Sequence, residues 1–149
     1  MLMLAFGLLL APGAVVKEAP DVVEARALFR RNVEAIAHRD REAYLACYLR
    51  SETLARTGPT GAQLGFSGLE KSVGEGWPDT FEALDLRLVP VRAGVVYGTY
   101  RYRVRFGLEE RTGLSERLFL KTPEGWKIVA DHESFPPEPT PAKPKRRAR

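Results

Sequence analysis

The chain has 149 residues, 44% apolar and 28% charged, the proportions of one globular domain able to bury a core without a disulfide or metal staple. A single cysteine, Cys47, and two histidines, His38 and His132, exclude an internal disulfide and a zinc centre built on Cys and His. The formal charge of +4 belongs to residues 136–149, which hold five basic residues against one acid; the preceding residues balance at 18 of each sign and offer no dedicated nucleic-acid surface.

Residues 1–16 are apolar but for Gly7, Pro12 and Gly13, and Lys17 ends the run. It is too short to span a bilayer, which takes about 20 apolar residues, and it matches the roughly 7 to 15 of a secretory signal's apolar region. No Lys or Arg precedes it, and Pro12, Gly13 and Ala14 make a poor cleavage site. The expectation is an exported protein, periplasmic or extracellular. As an apolar arm packed on the body, the same run leaves the protein in the cytoplasm.

Residues 21–38 read as an amphipathic helix. Pro20 precedes a capping pair, Asp21 and Glu24, and Val22, Ala25, Phe29, Val33 and Ile36 line one face opposite Arg26, Arg30, Arg31 and Glu34. Asp40 is placed to cap a second, short helix carrying Tyr44, Leu45 and Tyr48. Ser67 and Glu70 form a capping box for a third, running to about Gly74 and stopped by Gly76, Trp77 and Pro78.

Beyond Thr80 the period falls to 2. Leu84, Leu86 and Leu88 alternate with Asp85 and Arg87, and Arg92, Ala93 and Gly94 supply a turn. Val96, Tyr100, Tyr102, Val104 and Phe106 then share one face with Gly98, while Thr99, Arg101, Arg103 and Arg105 share the other. A loop is expected over residues 107–113, a strand over 114–121, and a tight turn at Thr122, Pro123, Glu124 and Gly125. In the last strand Trp126, Ile128, Ala130 and His132 fall on one side, and Val129, Asp131 and Glu133 on the other; the sequence leaves open which side faces inward. Helices followed by an antiparallel meander define an α+β domain over residues 17–135. Residues 136–149, with five prolines and no large apolar side chain, are expected to form a disordered, solvated tail able to touch anionic surfaces.

The closing strand, Gly125-Trp-Lys-Ile-Val-Ala-Asp-His132, together with Gly58-Pro-Thr-Gly61 leading to Gly65-Phe-Ser-Gly-Leu-Glu70, resembles the nuclear transport factor 2-like superfamily in its ketosteroid isomerase and polyketide-cyclase (SnoaL-like) branch. The resemblance implies a cystatin-like cone: a curved antiparallel sheet wrapped around N-terminal helices, with a pocket between them and a second copy packed on the sheet as a homodimer. Isomerase chemistry of that kind needs a carboxylate base and tyrosine donors in a dry pocket. The stretch after the second helix, where the family's base would sit, offers Glu52 but no aspartate. His132 and Asp131 are the candidate catalytic residues, His132 as a proton carrier beside Tyr100 or Tyr102.

Tyr48, Trp77, Tyr100, Tyr102 and His132 form the candidate ligand-binding set, suited to a small hydrophobic or aromatic molecule; the same aromatics also serve as core. Arg101, Arg103 and Arg105 have cross-strand acids, Asp85, Glu109, Glu110 and Glu116, to pair with. No phosphate loop, HExxH, nucleophile elbow or CxxC occurs, so neither cofactor nor metal is expected. The leading reading is small-molecule binding; the alternatives are an isomerase or lyase, and a noncatalytic dimerisation module.

Overall fold

A computed structural model describes residues 18–74 and 76–135. The apolar leader and the basic tail, and with them the expectations of export and of a disordered tail, lie outside the described residues.

Helix α1 (Pro20–His38) buries Val22, Ala25, Leu28, Phe29, Asn32, Ala35 and Ile36, the face its period foretells. Its start departs from expectation. Ala19 is the N-cap and Pro20 occupies the first turn, where a missing N–H costs nothing. Asp21 therefore lies inside the helix, and its carboxylate accepts the backbone N–H of Gly94 at 2.8 Å, tying the helix to a distant strand turn. Helix α2 (Arg41–Ala46) is capped as expected, Asp40 accepting from the Ala43 N–H at 2.9 Å. It ends before Tyr48, which instead bridges to Ile128 in the last strand. Helix α3 (Phe66–Ser72) begins after Gly65 with no side-chain cap, so the Ser67–Glu70 capping box is not formed.

Six strands make one sheet: β1 (Ala55–Gly58), β2 (Gly61–Leu64), β3 (Thr80–Arg92), β4 (Val95–Phe106), β5 (Glu109–Thr122) and β6 (Gly125–Ser134), in the order β2-β1-β6-β5-β4-β3. The stretch through Gly58 and Gly61 is a hairpin turning at Pro59 and Thr60. The loop expected over 107–113 shrinks to Gly107 and Leu108, because Glu109 already pairs with Phe106. All pairings are antiparallel except that of β1 with β6. The sheet is curved and open, and its concave face carries Val96, Tyr100, Tyr102, Val104, Phe119, Trp126 and Ile128 against α1. On the outer face Arg101 pairs with Asp85 and Arg103 with Glu110, partners read from the sequence, and Arg103 also pairs with Glu82, which was not foreseen.

One irregularity decides the site. Leu118 pairs with Ala130 but Phe119 pairs with Ile128, leaving Val129 as an extra residue on β6. This β-bulge resets the alternation. Trp126 and Ile128 are buried before it, and after it Asp131 is the buried residue while His132 is exposed. The expected grouping of His132 with Trp126 and Ile128 is thus overturned.

Candidate functional site

Between the end of α1, α2, the segment following α3 and the inner faces of β4 and β6 lies a cavity of about 330 Å³. Its walls include Tyr44, Trp77, Phe81 and Tyr102. Tyr44 and Trp77 meet edge to face at 5.6 Å, and Phe81 stacks on Tyr102 at 6.5 Å. The charged groups at the wall are Arg56, Arg111 and Glu133.

Arg56 is carried inward by β1 and held there by β6. Its Nε donates to both Asp131 oxygens, at 3.0 and 3.2 Å, and its Nη1 to Gln63 at 3.3 Å; no bond is made by Nη2 among the described residues. Asp131 also accepts from the Tyr48 hydroxyl at 3.2 Å, and Tyr48 lies 2.8 Å from the Tyr44 hydroxyl. Since Tyr48 spends its proton on Asp131, Tyr44 donates to Tyr48, and a directed chain runs from the cavity wall to the buried carboxylate. A second cluster lies deeper. Arg117, 4% exposed, donates to Asn32 and, at 2.7 Å, to the Tyr100 hydroxyl, and its guanidinium sits 5.2 Å from the Tyr100 ring centroid. Its Nε has no partner among the described residues.

Burial pushes the Tyr44, Tyr48 and Tyr100 phenols above their ordinary pKa, so all three stay protonated at neutral pH. Burial works against the charge on Arg56 and Arg117, but the tyrosine oxygens and Asp131 around them outweigh it and keep both guanidiniums firmly protonated. Glu133 is half-buried and takes part in no hydrogen bond or ion pair among the described residues. Burial raises its carboxyl pKa and Asp131 adds to the rise, with Arg117 and Arg56 opposing. The Tyr102 hydroxyl, likewise buried without a partner, is pushed up to about 12 by burial and by Glu133.

Of the residues singled out from the sequence, Trp77 and Tyr102 line the cavity, whereas Tyr48 and Tyr100 stand behind its wall with their hydroxyls engaged. Asp131 points inward but is committed to Arg56 and Tyr48. His132 is on the other face of the sheet, its Nδ1 2.7 Å from the Thr57 hydroxyl, and does not reach the cavity. Arg56, Arg117 and Tyr44 were not foreseen as site residues. Arg117 had a readable signal, since it stands between Ser115 and Phe119 at the parity that β5 buries.

This α+β arrangement of helices and a curved, open sheet is the nuclear transport factor 2-like, cystatin-like fold. No protein-family model matches the chain, and no curated protein does. Among solved structures, a nuclear transport factor 2-like protein of unknown function from Shewanella oneidensis superposes with a TM-score of 0.68, at 19% identity, over 75% of this chain and 97% of its own. A candidate dehydratase of the same fold family from Streptomyces avermitilis gives 0.67 at 16% identity, over 78% of this chain and 96% of its own. A candidate ketosteroid isomerase from Parabacteroides distasonis gives 0.63 at 17% identity, over 76% and 86%. At such identities the likeness is one of fold, and function has to be argued from the site.

Proposed function

We propose that this protein binds a small, flat, largely apolar molecule in the cavity between sheet and helices. The observation that carries the reading is the coincidence, in one space of about 330 Å³, of an aromatic wall with two polar side chains that keep unused bonding capacity there, Arg56 through its Nη2 and Glu133 through its carboxyl. A ligand hydroxyl serves both at once, accepting from Arg56 and donating to Glu133. The fluorescence of Trp77 reports occupancy. Titration with 2-naphthol is expected to give saturable quenching, and calorimetry, which needs no tryptophan reporter, an affinity weakened about tenfold by Trp77→Leu, the value of about 1.4 kcal/mol of lost aromatic contact. Trp126, elsewhere in the core, remains as the internal reference. Absence of saturable binding sinks the reading.

A second reading, an isomerase or lyase acting at the same place, is favoured by Glu133 itself. A carboxylate free of partners, with a raised pKa and near a phenol donor, is equipped to move a proton at a carbon next to a carbonyl. Deuterium exchange into 2-tetralone, lost in Glu133→Gln, supports this second reading; exchange no faster than in buffer removes it.

A further inference from the structure

Two guanidiniums and one committed carboxylate occupy the interior behind the cavity. Arg56 and Asp131 neutralise each other at 3.0 Å. Arg117 bonds only to neutral groups, Asn32 and Tyr100, and keeps an unpartnered Nε. The one further carboxylate, Glu133, touches neither guanidinium. Its charge state therefore sets that of the whole chamber: neutral when Glu133 is ionised, one positive charge in excess when it is protonated.

An anion entering the cavity meets two groups with unused bonding capacity, the Arg56 Nη2 and the Glu133 carboxyl. Ionised, Glu133 repels that anion across a space of low dielectric; protonated, it donates to it. We infer that the cavity takes a small apolar or aromatic carboxylate, its charged end set against Arg56, and that Glu133 takes up one proton from solvent for each ligand bound. This inference rests on the small-molecule reading above and adds the ligand's charge and its coupling to pH.

The groups facing Glu133 are Tyr44 from α2, Arg56 from β1, Tyr102 from β4, Arg111 and Arg117 from β5, and Asp131 and His132 on its own strand. The inward surface of α1 contributes only uncharged groups, Asn32 and Ile36, and Arg111 is itself paired with Glu109. Asp131 is thus the one fixed anion that favours the proton on Glu133, and burial acts in the same direction.

The test uses two probes of one shape, 2-naphthoate and 2-naphthol, between about pH 5 and about pH 8, a range in which an aryl carboxylate with a pKa of about 4 stays ionised. Calorimetry in buffers of different ionisation enthalpy counts protons. The expected result is that 2-naphthoate affinity falls with rising pH, approaching tenfold per unit above the Glu133 pKa, with close to one proton taken up per ligand, while 2-naphthol binding stays flat. Glu133→Gln, an isostere whose folding is checked by thermal melt, is expected to bind 2-naphthoate at every pH with no proton uptake. Three results overturn the inference: 2-naphthol binding while 2-naphthoate is refused, 2-naphthoate binding with no pH dependence, or proton uptake that persists in Glu133→Gln. The small-molecule reading survives each of these. If neither probe binds, both fall together.

Discussion

The ring of Tyr102 on β4 lies across Gly113, its directly opposite partner on β5. A Cβ at position 113 would overlap the phenol and the Ser134 carbonyl, so the glycine is what lets the ring lie against the sheet with its hydroxyl buried over β5. Gly113→Ala is expected to cost about 2 kcal/mol, the size of an overpacked core site, and to weaken 2-naphthol binding as Tyr102 turns away. Urea denaturation and fluorescence titration measure the two effects, and an alanine variant with wild-type stability would contradict the contact.

Asp131→Ala strips the Arg56 guanidinium and the Tyr48 hydroxyl of their shared acceptor. A loss of about 3 kcal/mol is expected, since a cation is left largely buried without its anion. The pair Arg56→Met with Asp131→Leu is expected to recover at least half of it. If the double variant is no more stable than Asp131→Ala, the penalty comes from packing rather than from the stranded charge.

Arg117→Met removes a buried charge but leaves the Asn32 carbonyl and the Tyr100 hydroxyl unsatisfied in the core, a cost of about 1 to 3 kcal/mol. Adding Asn32→Leu removes one of those orphans. The double variant is expected to unfold at higher urea than Arg117→Met alone, and the reverse order would show that Asn32 is satisfied by another route.

Glu133 holds its proton more tightly in the folded chain than its ordinary value of 4.5 allows, because burial disfavours the anion. Its contribution to stability is therefore whole below that ordinary value and is lost as pH rises through the folded-state value. Glu133→Gln abolishes this loss. The variant is expected to melt above the parent near pH 8 and level with it near pH 4. Parallel melting curves with a constant offset across that range would refute the burial argument.

His132→Ala is expected to leave 2-naphthol and 2-naphthoate binding unchanged and to cost less than about 1 kcal/mol, the value of one exposed hydrogen bond to Thr57. Binding that falls in this variant would place the imidazole inside the chamber after all.

Much of the scaffold was legible because period and sidedness are local. The inward face of α1, the Asp40 cap, the alternation of β4 and the turns at Gly94 and Gly125 follow from spacing alone. The site was less so, because it turns on two facts that are not local. The extra residue at Val129 exists only against the register of β5, and it exchanges the positions of His132 and Asp131. The Asp21 cap failed for a similar reason: its carboxylate is drawn to Gly94, 73 residues away, where a local rule assigns it to its own helix. Arg56 was equally hidden, since the strand that carries it pairs with β6, far along the chain.

That parallel ladder joins Arg56 to Asp131 across 75 residues, whereas β3 through β6 are linked by tight turns. Closing so long a loop is entropically expensive until its contacts form, so the β1–β2 hairpin is expected to dock after the meander has assembled on α1. Conservative substitutions at Ala55 should then speed unfolding and leave the refolding rate unchanged, the signature of a contact made on the native side of the barrier. In the order of events along the folding path, the aromatic wall comes first and the cation that gives it a preference for charge comes last.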